Sequence, residues 1–308
     1  MNKKRLAFAL LLAVLYSAGI FAVPVSAGGE DHVVRAGPAA TKYPIVLVHG
    51  AGFRDKTFRI GYWGRIPATL EAQGARIFYG GTDGWGSIES NAAMLKKTVE
   101  SVLAETGSEK VNIIAHSKGG LEARYMISSL GMAGKVASLT TISTPHHGSE
   151  TIDKVMGVPD FLYKGASWVM DGIFRVFIRD EAPDFYNGSK SLAAGYMKEF
   201  NIMNPDDPGV YYQSFGGALT VIGGSILLSW TAFPIEKIEG ENDGLVTVDS
   251  AKWANYRGAL RGAARRGVSH ADLVDIWRRD LKIQPLLGAE TIREFYVAVA
   301  ADLKARGY

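Results

Sequence analysis

Val111-Asn-Ile-Ile-Ala-His-Ser117-Lys-Gly-Gly120 is the stretch that decides how the chain is read. The β-branched apolar run from Val111 to Ile114 reads as a buried strand, and a helical pattern resumes from Leu121 to Leu130. A tight turn lies between them, with a serine at its apex. Such a turn strains the serine backbone and lifts its hydroxyl clear of the sheet. Strand and helix nearly touch there, so the residues two before and two after the serine must be small. Ala115 and Gly119 fill those places, where the usual pattern G-x-S-x-G has two glycines. Ser117 is therefore the candidate nucleophile.

Working outward, Tyr43 to Val48 reads as a short buried strand ending in His49-Gly50-Ala51-Gly52. Pro67 to Gln73 reads as a helix closed by Gly74, Arg76 to Tyr79 as a strand, and Ser90 to Glu105 as an amphipathic helix closed by Gly107. Lys135 to Ile142 is a further strand. The alternation predicts an α/β fold, with a mostly parallel central sheet wrapped by helices on both faces. Residues 150–209 break this rhythm with bulky groups such as Phe161, Leu162, Trp168, Phe174 and Phe177, interleaved with Arg175, Arg179 and Asp180. Their place after the nucleophile suggests an inserted helical lid, although periodicity alone equally allows core helices. Tyr211 to Ser229 reads as resumed sheet, residues 239–248 as the end of a strand opening into a loop, and Thr291 to Lys304 as a closing helix. No repeat or linker interrupts residues 28–308, which read as one domain.

A serine hydroxyl needs a base, and the base needs an acid that fixes its tautomer and stabilises its cation. In a fold of this type the chain order is serine, acid, histidine. The six histidines are His32, His49, His116, His146, His147 and His270, and only His270 lies beyond the inserted stretch. It is the candidate base. Asp243, in Asn242-Asp243-Gly244, is the candidate acid, with Asp249 as the alternative. An oxyanion needs two backbone N–H donors. Lys118, directly after the serine, supplies one; Ala51, in the loop after the first strand, supplies the other. His49 reads as a residue that orders this loop, and His116 as packing beneath the turn. His146 and His147 read as structural, since no third histidine or cysteine accompanies them at ligand spacing.

The start of the chain is basic, Met1-Asn-Lys-Lys-Arg5, then apolar from Leu6 to Val23, then small at Val25-Ser26-Ala27. That is the pattern of a secretory signal peptide, residues 1–27, cleaved after Ala27. Pro24 and the Ala27 site argue against an uncleaved anchor. No later stretch is long and apolar enough to span a bilayer. The signal carries three of the 34 basic side chains and none of the 31 acidic ones, so the remainder is balanced in charge. Such a surface gives no footprint for nucleic acid. There is no cysteine, so an exported chain must find its stability in its core or in a metal.

Together Tyr43-Pro-Ile-Val-Leu-Val-His-Gly50, Tyr62-Trp63, Asn112 to Gly120, Pro145-His-His-Gly-Ser149, Asn242-Asp-Gly-Leu-Val246 and Ser269-His-Ala-Asp272 resemble secreted bacterial triacylglycerol lipases of the Pseudomonas and Burkholderia type. The resemblance implies an α/β-hydrolase with a mobile lid, acting on lipid esters at an oil–water interface through an acyl-serine intermediate. It implies Ser117, Asp243 and His270 as the triad, with Ala51 and Lys118 as amide donors and no cofactor for catalysis. It also implies a structural Ca2+ near the catalytic histidine, with Asp272 as one ligand and carbonyls around Ile276 to Asp280 as others. The second carboxylate of that site would fall in Val221-Ile-Gly-Gly-Ser225, which has no acid, so a carbonyl of Gly223 or Gly224 would have to stand in. Whether a dedicated folding chaperone is needed is open. Two other readings share these residues: a carboxylesterase for soluble short-chain esters, and a non-catalytic lipid-binding hydrolase fold.

Overall fold

The computed structural model describes residues 37–57, 60–155, 160–220, 226–264 and 266–308. The expected signal peptide and Val221 to Ser225 lie outside these residues, as do the placements of the Phe161, Leu162 and Phe177 side chains. In chain order the strands are β1 (Ile45–Val48), β2 (Lys56–Thr57), β3 (Ile60–Gly61), β4 (Ile77–Tyr79), β5 (Val111–His116), β6 (Val136–Ile142), β7 (Tyr211–Ala218), β8 (Asn255–Arg261), β9 (Lys282–Leu286) and β10 (Ala289–Thr291). Six of them form one sheet in the order β4-β1-β5-β6-β7-β8, and every pair in it is parallel. The small pairs β2–β3 and β9–β10 are antiparallel.

Both faces of this sheet are covered, which is why β1 is wholly apolar, β5 and β6 are mostly so, and all three are buried along their whole length. Alternate residues feed opposite cores. Ile45, Leu47 and Ile114 pack with α1 (Ile66–Ala72) and the closing helix Ile292–Ala305. Val46, Val48, Ile113 and Ala115 pack with α2 (Ile88–Thr106) and α3 (Lys118–Ser128). Helix α2 is bounded as its sequence directs. Ser87 accepts the Ser90 N–H at its start, and Gly107 ends it at φ 65°.

Between β6 and β7 the chain forms α4 (Glu150–Val155), α5 (Asp160–Ile173), a π-helical turn (Phe174–Ile178), α6 (Phe185–Lys190) and α7 (Ala194–Met203). The helix α5 and its π-helical turn are amphipathic. Met170, Phe174 and Ile178 pack with Trp85 and Phe185 against Ala51, whereas Trp168 and Val176 are 78% and 69% exposed. Helix α7 differs: Met197 and Phe200 bury against Ile88 and Leu121, so it belongs to the helical layer beside the sheet.

The region after β7 departs from the sequence expectation. Residues 211–229 are not continuous sheet; β7 ends at Ala218, and Ile226–Glu239 is a helix, α8. Asp243 therefore follows a helix and not a strand. An uninterrupted apolar run such as Ile226-Leu-Leu has no period to separate the two forms. The closing helix Ile292–Ala305 is α9, capped by Thr291, which accepts the Glu294 N–H.

Candidate active site

Ser117 joins β5 to α3 at φ 54°, ψ −134°, a conformation that L-residues seldom adopt. Close packing enforces it. A Cβ on Gly119 would lie 2.3 Å from the carbonyl oxygen of His49, and one on Gly120 would lie 2.2 Å from Thr144 Oγ1. The serine is held from both sides: its N–H donates to the Ile142 carbonyl, and its own carbonyl accepts from Thr144 Oγ1 at 2.8 Å.

The loop after β1 lies directly against this serine. A Cβ on Gly50 would be 2.5 Å from Ser117 Cβ and 3.1 Å from its Oγ. The amides on either side of Ala51 are committed, Gly50 N–H to the Tyr62 hydroxyl (3.0 Å) and Gly52 N–H to the Gly84 carbonyl (2.9 Å). The Ala51 N–H takes no partner among the described residues. Lys118, the other expected donor, opens α3, where the helix dipole favours negative charge. The rings of the flanking histidines are engaged differently. His49 engages the Gly50 carbonyl through Nδ1 and Thr82 through Nε2, so it orders the loop. His116 Nδ1 meets the Tyr62 hydroxyl at 2.6 Å, and its buried Nε2 has no hydrogen-bond partner among the described residues.

Asp243 and His270, 27 residues apart, meet at 2.7 Å between Oδ2 and Nδ1. The His270 N–H also donates to the Asp243 carbonyl at 2.8 Å. The carboxylate is fully buried and fully satisfied: Oδ1 accepts the N–H groups of Leu245 and Val246, and Oδ2 also accepts the Ser143 hydroxyl at 2.6 Å. Donation by Nδ1–H leaves His270 Nε2 as the basic nitrogen of the neutral ring. The His270 ring rests on that of His116, the residue before Ser117, with centroids 4.4 Å apart. Burial, and then the neighbouring His270, push the His116 imidazole well below its ordinary range. The neutral form of His116 is therefore favoured against the His270 ring.

The alternative acid, Asp249, is exposed and paired with Lys252. His146 is buried against Thr141 and Trp253, and His147 bonds the Lys252 carbonyl, so neither ring is turned to a shared ligand. Sequence reasoning missed Ser143. It sits at φ 47° at the carboxyl end of β6, next to the strand that carries Ser117. A hydroxyl at the end of the neighbouring strand was the only signal, and it does not say which carboxylate it meets.

Asp272, the carboxylate expected to bind Ca2+, does not fit that ion. The Asp272 carboxylate already has a cation: Arg266 reaches both of its oxygens, at 3.1 and 3.0 Å, and Oδ2 also accepts from the amide and hydroxyl of Ser269. The other carboxylates of this loop are likewise taken, Asp275 by Arg65 and Asp280 by Arg65 and Arg293. Among the described residues no group of three or more His, Cys, Asp or Glu side chains could hold a metal.

Residues 44–201 match the model of the family described as palmitoyl protein thioesterase. The chain is 32% identical to triacylglycerol lipase 2 of Saccharomyces cerevisiae over 262 residues, 81% of this chain and 75% of that one. It is 39% identical to a triacylglycerol lipase of Burkholderia plantarii over 247 residues, 75% of this chain and 68% of that one. Among solved structures it shares its fold with a metagenomic carboxyl esterase (TM-score 0.66, 17% identity, 94% of this chain and 83% of that one). A Bacillus licheniformis lipase in mature form aligns with TM-score 0.58 and 23% identity over 79% of this chain and 90% of that one. A serine at a strained strand–helix turn, on an all-parallel sheet and within a chain this close to named lipases, leads to one assignment: the chain belongs to the triacylglycerol lipases, carboxylic ester hydrolases of the α/β-hydrolase fold.

Proposed function

We propose that this chain is an exported lipase that hydrolyses long-chain acylglycerols with Ser117 as nucleophile, His270 as base and Asp243 as its orienting acid. His270 Nε2 takes the Ser117 proton as Oγ attacks the ester carbonyl. The negative charge that develops on the carbonyl oxygen is met by the N–H groups of Ala51 and Lys118. His270 then returns the proton to the leaving alcohol, and a water, activated by the same imidazole, releases the acid from Ser117. Asp243 holds the tautomer and balances the imidazolium. The observation that carries this reading is the buried Asp243–His270 pair at 2.7 Å beside the strained Ser117 turn.

A lipid substrate is supported by the names of the relatives and by apolar side chains turned to solvent on the helical insertions, Trp168 and Val176 on one and Phe233 on the other. Export is supported by the basic, apolar and small-residue order of residues 1–27. No described helix is long and apolar enough to cross a membrane. The substrate class is tested with initial rates on emulsified triolein and on short esters below and above their solubility limit. Rates are expected to rise where droplets form. Activity confined to dissolved short esters identifies a carboxylesterase instead.

Arg266 in the place of a divalent cation carries a second expectation, of activity without calcium. Excess EGTA is expected to leave rate and thermal midpoint unchanged. Arg266→Gln is expected to cost about 1–3 kcal/mol, by leaving the buried Asp272 carboxylate short of its charged donor. A several-fold loss of rate in EGTA that added Ca2+ restores would show that Asp272 is a metal ligand.

A further inference from the structure

The two N–H groups assigned to the oxyanion lie on different elements, the loop after β1 and the start of α3. A third segment, Thr82 to Trp85, which follows β4, is bonded toward both of them. On one side this segment carries the oxyanion loop. The Thr82 carbonyl and hydroxyl engage His49 Nε2 at 3.0 and 3.1 Å, and the Gly84 carbonyl accepts the Gly52 N–H at 2.9 Å. On another side it reaches the nucleophile turn. The Asp83 carbonyl accepts from Asn91 Nδ2, which also donates to Glu122 Oε1, both at 2.8 Å. Glu122 Oε1 in turn holds Lys118 Nζ at 2.5 Å, and both of these charged groups are buried.

The third side of the segment is gripped by two buried carboxylates facing opposite ways. Asp180, just after the π-helical turn, accepts the N–H groups of Gly84 and Trp85, both at 2.9 Å. Asp83 accepts those of Glu181 and Ala182, at 3.0 and 2.6 Å. Each side chain thus bonds two consecutive amides of the other's segment. The approach is close: a Cβ on Gly84 would stand 3.2 Å from Phe53 N and 3.4 Å from Asp180 Oδ2. A carboxylate removed from water is costly unless hydrogen bonds compensate it, so these four bonds fix one register between the segments.

Resting on the catalytic reading above, we propose that Asp83 and Asp180 are positioning residues for the oxyanion hole. Neither touches the ester. The clasp holds the Gly84 peptide that anchors Gly52, and so holds Ala51; through Asn91 and Glu122 the same segment braces Lys118. Donors displaced by a fraction of an ångström still bind a neutral ester, but stabilise its tetrahedral oxyanion less.

The test is Asp180→Asn, which keeps the shape but offers one acceptor oxygen where two amides need one each. Active sites are counted by titration with a fluorophosphonate, so that loss of folded protein is not read as loss of rate. Per titrated site, kcat on a soluble ester is expected to fall about 10- to 100-fold with KM within about twofold. Affinity for a trifluoromethyl ketone, which forms an oxyanion on the serine, is expected to fall by the same factor. Asp83→Asn carries the same test should Asp180→Asn fail to fold. Wild-type kcat per site in either variant, or a lower kcat with unchanged affinity for the ketone, overturns the proposal. Ser117→Ala separates it from the reading beneath it. An inactive Ser117→Ala beside a fully active Asp180→Asn refutes the clasp alone, whereas an active Ser117→Ala refutes the catalytic reading itself.

Discussion

Ser117→Ala is expected to lower kcat for ester hydrolysis by roughly 10⁴- to 10⁶-fold and to abolish labelling by a fluorophosphonate. The alanine removes only Oγ. Nothing else at the turn depends on that atom, because the serine is held by its backbone N–H and carbonyl. The fold and the thermal midpoint should therefore survive, and the loss should fall on chemistry alone. Residual activity would come from substrate held beside the amides of Ala51 and Lys118. His270→Ala should cost about as much, and the double variant little more, since nucleophile and base act as one unit. The checks are initial rates on a soluble ester and on emulsified triolein, with circular dichroism as the control for folding. A Ser117→Ala enzyme that keeps more than a hundredth of the rate would place the nucleophile elsewhere.

That prediction was legible before any coordinates, because a strand–serine–helix turn is local. Its requirements, a β-branched run, small residues at 115 and 119 and a helical pattern after, are all within ten residues. The parallel sheet was legible for a related reason. Strands buried on both faces are mostly apolar, and the apolar runs of β1, β5 and β6 announce themselves. Strand β8, Asn255-Tyr-Arg-Gly-Ala-Leu-Arg261, lies at the sheet edge with one partner and carries no such signal. Helix α8 was hidden by an apolar run with no usable period. Elimination supplied His270, since no other histidine lies beyond the insertion. It could not supply Ser143 or the Asp83–Asp180 clasp, which join residues about 100 apart in the chain and depend on the sheet order. Arg266 was equally silent. A resemblance that marks Asp272 as a metal ligand says nothing about an arginine six residues earlier that already neutralises it.

Asp243→Asn tests the buried pair, and its expected cost is roughly 10⁴-fold in kcat, with the fold retained. Four hydrogen bonds converge on this carboxylate. Two come from backbone amides to Oδ1, and two, from His270 Nδ1 and the Ser143 hydroxyl, reach Oδ2. The asparagine keeps its carbonyl oxygen on the Leu245 and Val246 amides, which cannot accept. Its NH2 group is then turned toward His270. A donor now faces Nδ1, so the imidazole must present a lone pair there and carry its proton on Nε2. That tautomer cannot take the proton of Ser117. The Ser143 hydroxyl can accept from the new NH2 but loses the acceptor of its own proton, so stability should fall by about 1–3 kcal/mol. Ser143→Ala removes one donor of four and leaves the tautomer intact; its cost should be about tenfold at most, through looser orientation of the pair. Asp249→Asn should be silent, since that side chain is exposed and meets only Lys252. Measured side by side, a loss in Asp243→Asn with none in Asp249→Asn identifies the acid. The reverse pattern, or an Asp243→Asn enzyme within tenfold of the parent, would mean that the 2.7 Å contact only holds the loop and that His270 takes its tautomer from another group.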